Sequence, residues 1–190
     1  MVRLLTRALA LLALHWLTLA AAAEATAPCS LATRSERIGQ GTIVYNSVGS
    51  GPQVLLIHGL FANKEQWNEL ACRLAESGFM AIAVDLPGYG KSERFALPDY
   101  ALESQVAKLG ALTMRLDIQQ IDLAGNSMGG TIMALYASRY PRQVRSIAFI
   151  GSPLASATGT REFATRYGKA SILSFRSASR SSTSSSSRCS

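Results

Sequence analysis

The residue types most able to do chemistry converge on one hexapeptide, Gly125-Asn126-Ser127-Met128-Gly129-Gly130. It follows the apolar run Ile121-Asp122-Leu123-Ala124 and leads directly into Thr131-Ile132-Met133-Ala134-Leu135-Tyr136. That order reads as a buried strand, a sharp turn and a helix, with Ser127 at the turn. A serine there must adopt a strained backbone that pushes its hydroxyl outward, and glycines at 125, 129 and 130 remove Cβ atoms that would crowd it. Ser127 is therefore the candidate nucleophile. By itself a Gly-x-Ser-x-Gly pentapeptide also describes a Gly/Ser-rich loop feeding a helix N-terminus, so the surrounding elements have to decide.

Those elements alternate. Thr42-Ile43-Val44-Tyr45 is β-rich and is followed by Gly49-Ser50-Gly51-Pro52, a strand closed by a turn. Val54-Leu55-Leu56-Ile57-His58-Gly59-Leu60-Phe61 is continuously apolar, as suits a strand covered on both faces of a parallel sheet. Asn63 and Gln66 form a capping pair for a helix carrying Trp67, Leu70, Ala71 and Leu74 to Gly78. Met80-Ala81-Ile82-Ala83-Val84 is a further buried strand, ending in Asp85-Leu86-Pro87-Gly88-Tyr89-Gly90-Lys91-Ser92. Gly90-Lys91-Ser92 invites comparison with a phosphate-binding loop, but that motif needs glycine where the chain has Asp85. Leu102, Val106, Leu109, Leu112 and Leu116 define an amphipathic helix, and after the Ser127 helix comes a strand over Val144 to Ile150. The alternation predicts an α/β fold with three layers, a mostly parallel sheet and a site at the carboxyl ends of the strands, where His58, Asp85 and Ser127 all fall.

Three motifs in this order, His58-Gly59-Leu60-Phe61, Asp85 through Ser92 and Gly125 through Gly130, resemble the α/β-hydrolase superfamily over roughly Thr42 to Pro153. The resemblance implies an α/β-hydrolase-type sheet and a serine hydrolase acting on an ester or similar carbonyl substrate. It makes Ser127 the nucleophile and the backbone N–H groups of Leu60 and Met128 the oxyanion donors. In this family the histidine at the position of His58 shapes the turn and is not the base, and Asp85 is expected to tie down its own loop. Serine at 127 argues against the branches that attack with a carboxylate. The Gly-Asn-Ser-Met-Gly-Gly form is similar to that of carbon–carbon bond hydrolases, esterases and cofactor-free haloperoxidases, and does not choose among them.

One departure stands beside the match. The family's triad runs Ser, then Asp or Glu, then His. After Ser127 this sequence offers one carboxylate, Glu162, and no histidine. It therefore reads as a fold of the α/β-hydrolase type incomplete in its C-terminal half, stopping after the sixth strand and weak or inactive as a catalyst. The alternative is a non-catalytic remnant or binding module. In either case a fold that lacks its later strands would leave the strand over Val144 to Ile150 as an apolar, unprotected edge.

Composition bounds the rest. The chain has 190 residues, 48% of them hydrophobic, enough for one packed domain. Arg3 and Arg7 precede an apolar run from Ala8 that closes on Ala21-Ala22-Ala23, so residues 1–23 read as a signal peptide. The run is shorter than the ~20 residues a bilayer span requires. An exported, periplasmic or secreted protein with no stable membrane anchor is expected. Residues 24–153 hold the hydrolase half, and 154–190 an irregular Ser/Arg-rich tail, with 11 serines among the last 20 residues. Residues 151–190 carry six basic side chains against Glu162, which places five of the seven net positive charges there. No nucleic-acid partner is expected from so local a charge, and the expected partner is a small-molecule substrate. Three scattered cysteines suggest neither a metal site nor a disulfide framework, and no cofactor is expected. Cys72 reads as a small apolar thiol on a helix's core face, and export permits a Cys29 to Cys189 bridge.

Overall fold

A computed structural model of the protein describes residues 29–93, 100–151 and 172–173. The expected signal peptide, Glu162, Cys189 and the tail other than residues 172–173 lie outside the described residues. The chain divides into two units, Met1–Ser30 and Leu31–Ser190. Of the first, Cys29 and Ser30 are described.

Among the described residues seven strands form one sheet: β1 (Ala32–Ile38), β2 (Gly41–Val48), β3 (Gln53–Ile57), β4 (Met80–Val84), β5 (Ile121–Asn126), β6 (Val144–Ile150) and β7 (Ile172–Leu173), in the order β1-β2-β4-β3-β5-β6-β7. The strands from β4 across to β7 run parallel, while β1 and β2 pair antiparallel with each other and β2 pairs antiparallel with β4. A 3₁₀ turn (Lys64–Trp67) leads into helix α1 (Asn68–Glu76); α2 (Leu102–Arg115) and α3 (Met128–Arg139) complete the helices among the described residues.

Side-chain alternation splits the core in two. Leu55, Ile57, Ile82, Val84 and Leu123 pack with Val106, Leu109 and Leu112 of α2 and Ile132, Met133 and Tyr136 of α3. On the other face Val54, Leu56, Ala81, Ala83 and Ala124 pack against Trp67 and Ala71. Successive residues of β3 are thus all covered, which is why that strand is a run of apolar residues without polar alternation. Each such Leu, Ile or Val removed from water contributes about 1.5–3 kcal/mol of transfer free energy. Tyr136 also ties α3 in place: its hydroxyl lies 2.8 Å from Thr113 Oγ1 and donates to Gln143 Oε1 at 2.5 Å.

The structure departs from the sequence-based picture in three places. Strand β1 has no counterpart there: its residues Ala32–Arg37 are mostly exposed and polar, and its pairing with β2, from Ala32↔Ser47 to Ile38↔Gly41, is backbone-directed and leaves no apolar pattern to read. The end of β6 is not an open edge, because Phe149 and Ile150 pair with Ile172 and Leu173, within the stretch expected to be irregular. Cys72 is half-buried one position beyond the core-facing Ala71, and both it and Cys29 are disulfide-bonded, so it is not a packed free thiol. The Asn63 cap is present but short-ranged: its side chain accepts from Glu65 N at 3.1 Å, and the Gln66 N–H donates to its carbonyl at 3.3 Å.

The register aligns the carboxyl ends of the strands. Ile57 pairs with both Val84 and Gly125, and Asn126 with Ile150. His58, Asp85 and Ser127 therefore all emerge at one edge. Helix α3 starts so close to β3 that a Cβ on Gly129 would stand 2.2 Å from the Ile57 carbonyl oxygen and 2.7 Å from that of His58. Gly129→Ala is expected to destabilise the fold by about 3 kcal/mol, the upper end of overpacking costs, because backbone rather than a flexible side chain must give way. The denaturant midpoint checks this; an unchanged midpoint would mean that α3 can shift freely from β3.

Candidate active site

The turn between β5 and α3 is the sharp corner that the sequence implied. Ser127 sits at its apex with φ 49° and ψ −114°, one of three non-glycine residues at positive φ among those described. Such a conformation costs on the order of 1–3 kcal/mol and persists only where its surroundings enforce it. Two bonds to one carbonyl do so: Ser127 N donates to Ile150 O at 3.3 Å and Asn126 Nδ2 donates to the same oxygen at 2.9 Å. Gly130 N returns to Ser127 O at 2.9 Å. Gly125 has no room for a side chain at this corner, since a Cβ there would lie 2.5 Å from the Gly129 carbonyl oxygen.

Against this corner lies the turn that follows β3. A Cβ on Gly59 would be 2.8 Å from Asn126 Oδ1 and 3.3 Å from Ser127 Cβ, so the backbone carrying Leu60 passes directly beside the serine. Ala62 N donates to Gly59 O at 3.3 Å and closes the turn, with Phe61 held at φ 58°. Leu60 is about half exposed and Phe61 almost wholly so, which places two apolar side chains at the rim. Met128, as the first residue of α3, has an N–H with no acceptor inside the helix. Among the described residues no hydrogen bond takes up the N–H of either Leu60 or Met128.

His58 is fully buried and committed on both sides. Leu86 N donates to Nε2 at 3.1 Å, which assigns the proton to Nδ1, and Nδ1 donates to Gly59 O at 2.7 Å. Its ring meets Tyr89 edge-on at 5.1 Å between centroids. Burial pushes its pKa below the usual value, outweighing the opposing pull of the Gly59 carbonyl and the Asp85 and Glu65 carboxylates. A neutral ring with both nitrogens occupied shapes the turn and has no lone pair left for a substrate proton, as expected for this position.

Asp85 is likewise structural, and its main partner carries no sign in the sequence. Oδ1 accepts from Lys64 N at 2.8 Å, while Oδ2 accepts from Lys64 Nζ and Lys91 N, each at 2.8 Å. Lys64 is as buried as Asp85, with Glu65 Oε1 2.7 Å from the ammonium on the solvent side. Burial lowers the Lys64 pKa, and the bonds to Asp85 and Glu65 more than offset this, leaving it raised. A Cβ on Gly90 would fall 2.2 Å from Asp85 Cγ, so the loop closes tightly on the carboxylate, and Ser92 Oγ donates to Asp85 O at 2.7 Å. Nothing local marks Lys64 for burial: it stands between the Asn63 cap and Glu65 in a polar segment. The only available signal was an aspartate at the end of a buried strand, which needs a cation or donors.

The sequence profile of the alpha/beta hydrolase fold family matches residues 52–171. The chain belongs to the α/β-hydrolase fold family. Lipase 1 of Psychrobacter immobilis is 36% identical over 113 residues, covering 58% of this chain and 35% of that lipase. A 2-hydroxy-6-oxo-2,4-heptadienoate hydrolase of Pseudomonas putida is 32% identical over 109 residues, 56% of this chain and 40% of that enzyme. The crystal structure of a membrane phospholipase A, a bacterial virulence factor, superposes with a TM-score of 0.63 at 34% identity, over 80% of this chain and 52% of that one. The matched stretch spans well under half of the length of either of these two curated relatives.

The buried histidine gives a pH signature. Its folded pKa lies below the unfolded value of about 6.5, so neutral His58 stabilises the fold above that pH. The contribution fades as pH falls through 6.5 toward the folded pKa. Urea midpoints are expected to drop between about pH 7 and 5, a window above the usual carboxylate range. In His58→Gln, where the amide keeps an acceptor for Leu86 N–H, that component should be absent; an identical pH slope in both proteins would rule His58 out as its source.

Proposed function

We propose that this protein is a serine hydrolase in which Ser127 attacks the carbonyl carbon of an ester or similar small-molecule substrate. The observation that carries the reading is the strained Ser127 backbone at the β5–α3 corner with the Gly59–Leu60 turn packed beside it. In the proposed reaction the Ser127 Oγ–carbon bond forms, the carbonyl electrons move onto oxygen, and the Leu60 and Met128 N–H groups, with the N-terminal end of the α3 dipole, receive that oxyanion. Collapse expels the alcohol with the serine proton and leaves an acyl-serine, which water cleaves. The likeness to a lipase and a phospholipase, together with exposed Leu60 and Phe61, supports an ester with an apolar acyl group. Export is proposed along with it, from the N-terminal apolar run; the bonded state of Cys29 and Cys72 suits an oxidising compartment.

A second reading, a non-catalytic binding module, is favoured by one observation. The single histidine among the described residues has both ring nitrogens occupied, and serine needs a base within hydrogen-bond reach. In a well-studied serine protease, loss of the histidine alone costs about 10⁶ in kcat, and about 10³–10⁴ over water survives through the oxyanion hole and binding. The 190-residue chain is therefore expected to hydrolyse p-nitrophenyl esters at close to the background rate. It should still form, slowly, a fluorophosphonate adduct on Ser127, detected by peptide mass spectrometry and lost in Ser127→Ala. An adduct on another residue, or labelling undiminished in Ser127→Ala, would overturn the assignment of the nucleophile. Vigorous ester turnover abolished by Ser127→Ala would instead show that a base is present.

A further inference from the structure

The two ends of the turn that carries Leu60 are fastened to two adjacent residues, Leu86 and Asp85. Upstream, His58 Nε2 accepts from Leu86 N at 3.1 Å; downstream, Lys64 binds the adjacent Asp85 twice, through its backbone N–H and its ammonium, both at 2.8 Å. Between these anchors Gly59, Leu60, Phe61, Ala62 and Asn63 span the gap with one internal backbone bond, Ala62 N to Gly59 O. The segment holds a non-glycine residue, Phe61, at φ 58°, a conformation that persists only under constraint. Asp85 is itself held by Lys91 N and, through its carbonyl, by Ser92 Oγ, while Ser92 Oγ accepts from Val44 N at 2.8 Å. The downstream anchor is therefore tied to the Lys91–Ser92 loop and, through Ser92, to Val44 of β2 rather than resting on a single flexible side chain.

We infer that Lys64 is a positioning residue for the Leu60 N–H, fixing the oxyanion turn against Ser127 through its buried contact with Asp85. The inference rests on the reading of Ser127 as nucleophile and Leu60 as oxyanion donor. A lysine is suited to the task because its backbone N–H and ammonium can grip both carboxylate oxygens at once, which removes the swivel that one bond would leave. Placed fully inside, the pair is shielded from water and from salt, so its geometry holds where a surface pair would exchange. Glu65 covers the ammonium from the exposed side and gives it a second carboxylate acceptor.

The test compares the wild-type chain with Lys64→Met, and with Lys64→Met/Asp85→Asn. In the double variant no buried carboxylate is stranded, and the new amide keeps an oxygen to accept from the backbone N–H at position 64. Asp122→Asn serves as the control, since it breaks the Arg145 pair at the opposite edge of the sheet. Two readouts are taken: the rate of fluorophosphonate labelling of Ser127, and the ³¹P chemical shift of the adduct, whose phosphonyl oxygen would occupy the oxyanion position. Labelling is expected to slow by about 10²-fold in the Lys64 variants, the scale of a 1 Å misplacement. The ³¹P resonance should move toward that of the denatured adduct, while Asp122→Asn lowers the melting temperature and leaves both readouts at wild-type values. Should Lys64→Met fail to fold, the double variant carries the comparison. Wild-type labelling and an unmoved ³¹P shift in a folded Lys64 variant would overturn the inference and leave Ser127 as nucleophile. Absence of the adduct from Ser127 in the wild-type chain would overturn the underlying reading itself.

Discussion

The architecture depends on a contact with no side chains in it: the start of α3 lies against the end of β3, backbone on backbone. Gly129 has no room for a Cβ beside the Ile57 and His58 carbonyls, Gly125 none beside Gly129, and Gly59 none beside Asn126. Three glycines from two strand ends and one helix start thus let two turns interlock. Without that approach the register at Ile57↔Gly125 would still form, but Ser127 and Leu60 would stand apart by at least the thickness of a methyl group. The positive φ at Ser127 follows from the same constraint, because a chain that must reverse this close to its neighbour has no relaxed path.

Around this joint the polar groups are stabilised mostly by backbone. His58 is bonded to Gly59 O and Leu86 N, Asp85 to the Lys64 and Lys91 N–H groups, and Asn126 to Ile150 O. Buried polar side chains cost free energy unless satisfied, and here each is satisfied by the loop it holds. The ends of β3, β4, β5 and β6 therefore behave as one unit. The buried Lys64–Asp85 pair is the exception, a full charge pair whose desolvation is large and whose worth lies in fixed geometry more than in stability.

How far the sequence could be read depended on whether the determining interaction was local. Apolar continuity at Val54 to Ile57, Met80 to Val84 and Ile121 to Ala124 announces covered parallel strands, because each residue's environment is set by which face it meets. The helical-period stripe of Leu102, Val106, Leu109, Leu112 and Leu116 announces α2 for the same reason. Strand β1 was invisible because its pairing uses backbone groups that every residue carries. Lys64 was invisible because its partner lies 21 residues away, and a lysine beside a helix start is ordinarily solvated. The bonded state of Cys72 was equally out of reach, since cysteine spacing does not encode partners.

By itself, then, the sequence determined the layered α/β plan, the corner at Ser127, the glycines that permit it and the turn-shaping role of His58. Each of these follows from steric or hydrophobic rules acting within a few residues. Tertiary structure alone decided the tautomer of His58, the clamp of Lys64 on Asp85, the two hydrogen bonds from the corner to Ile150 O and the pairing of β6 with β7. Those depend on which distant atoms arrive within about 3 Å of one another, a distance set by the assembled sheet and by no single segment.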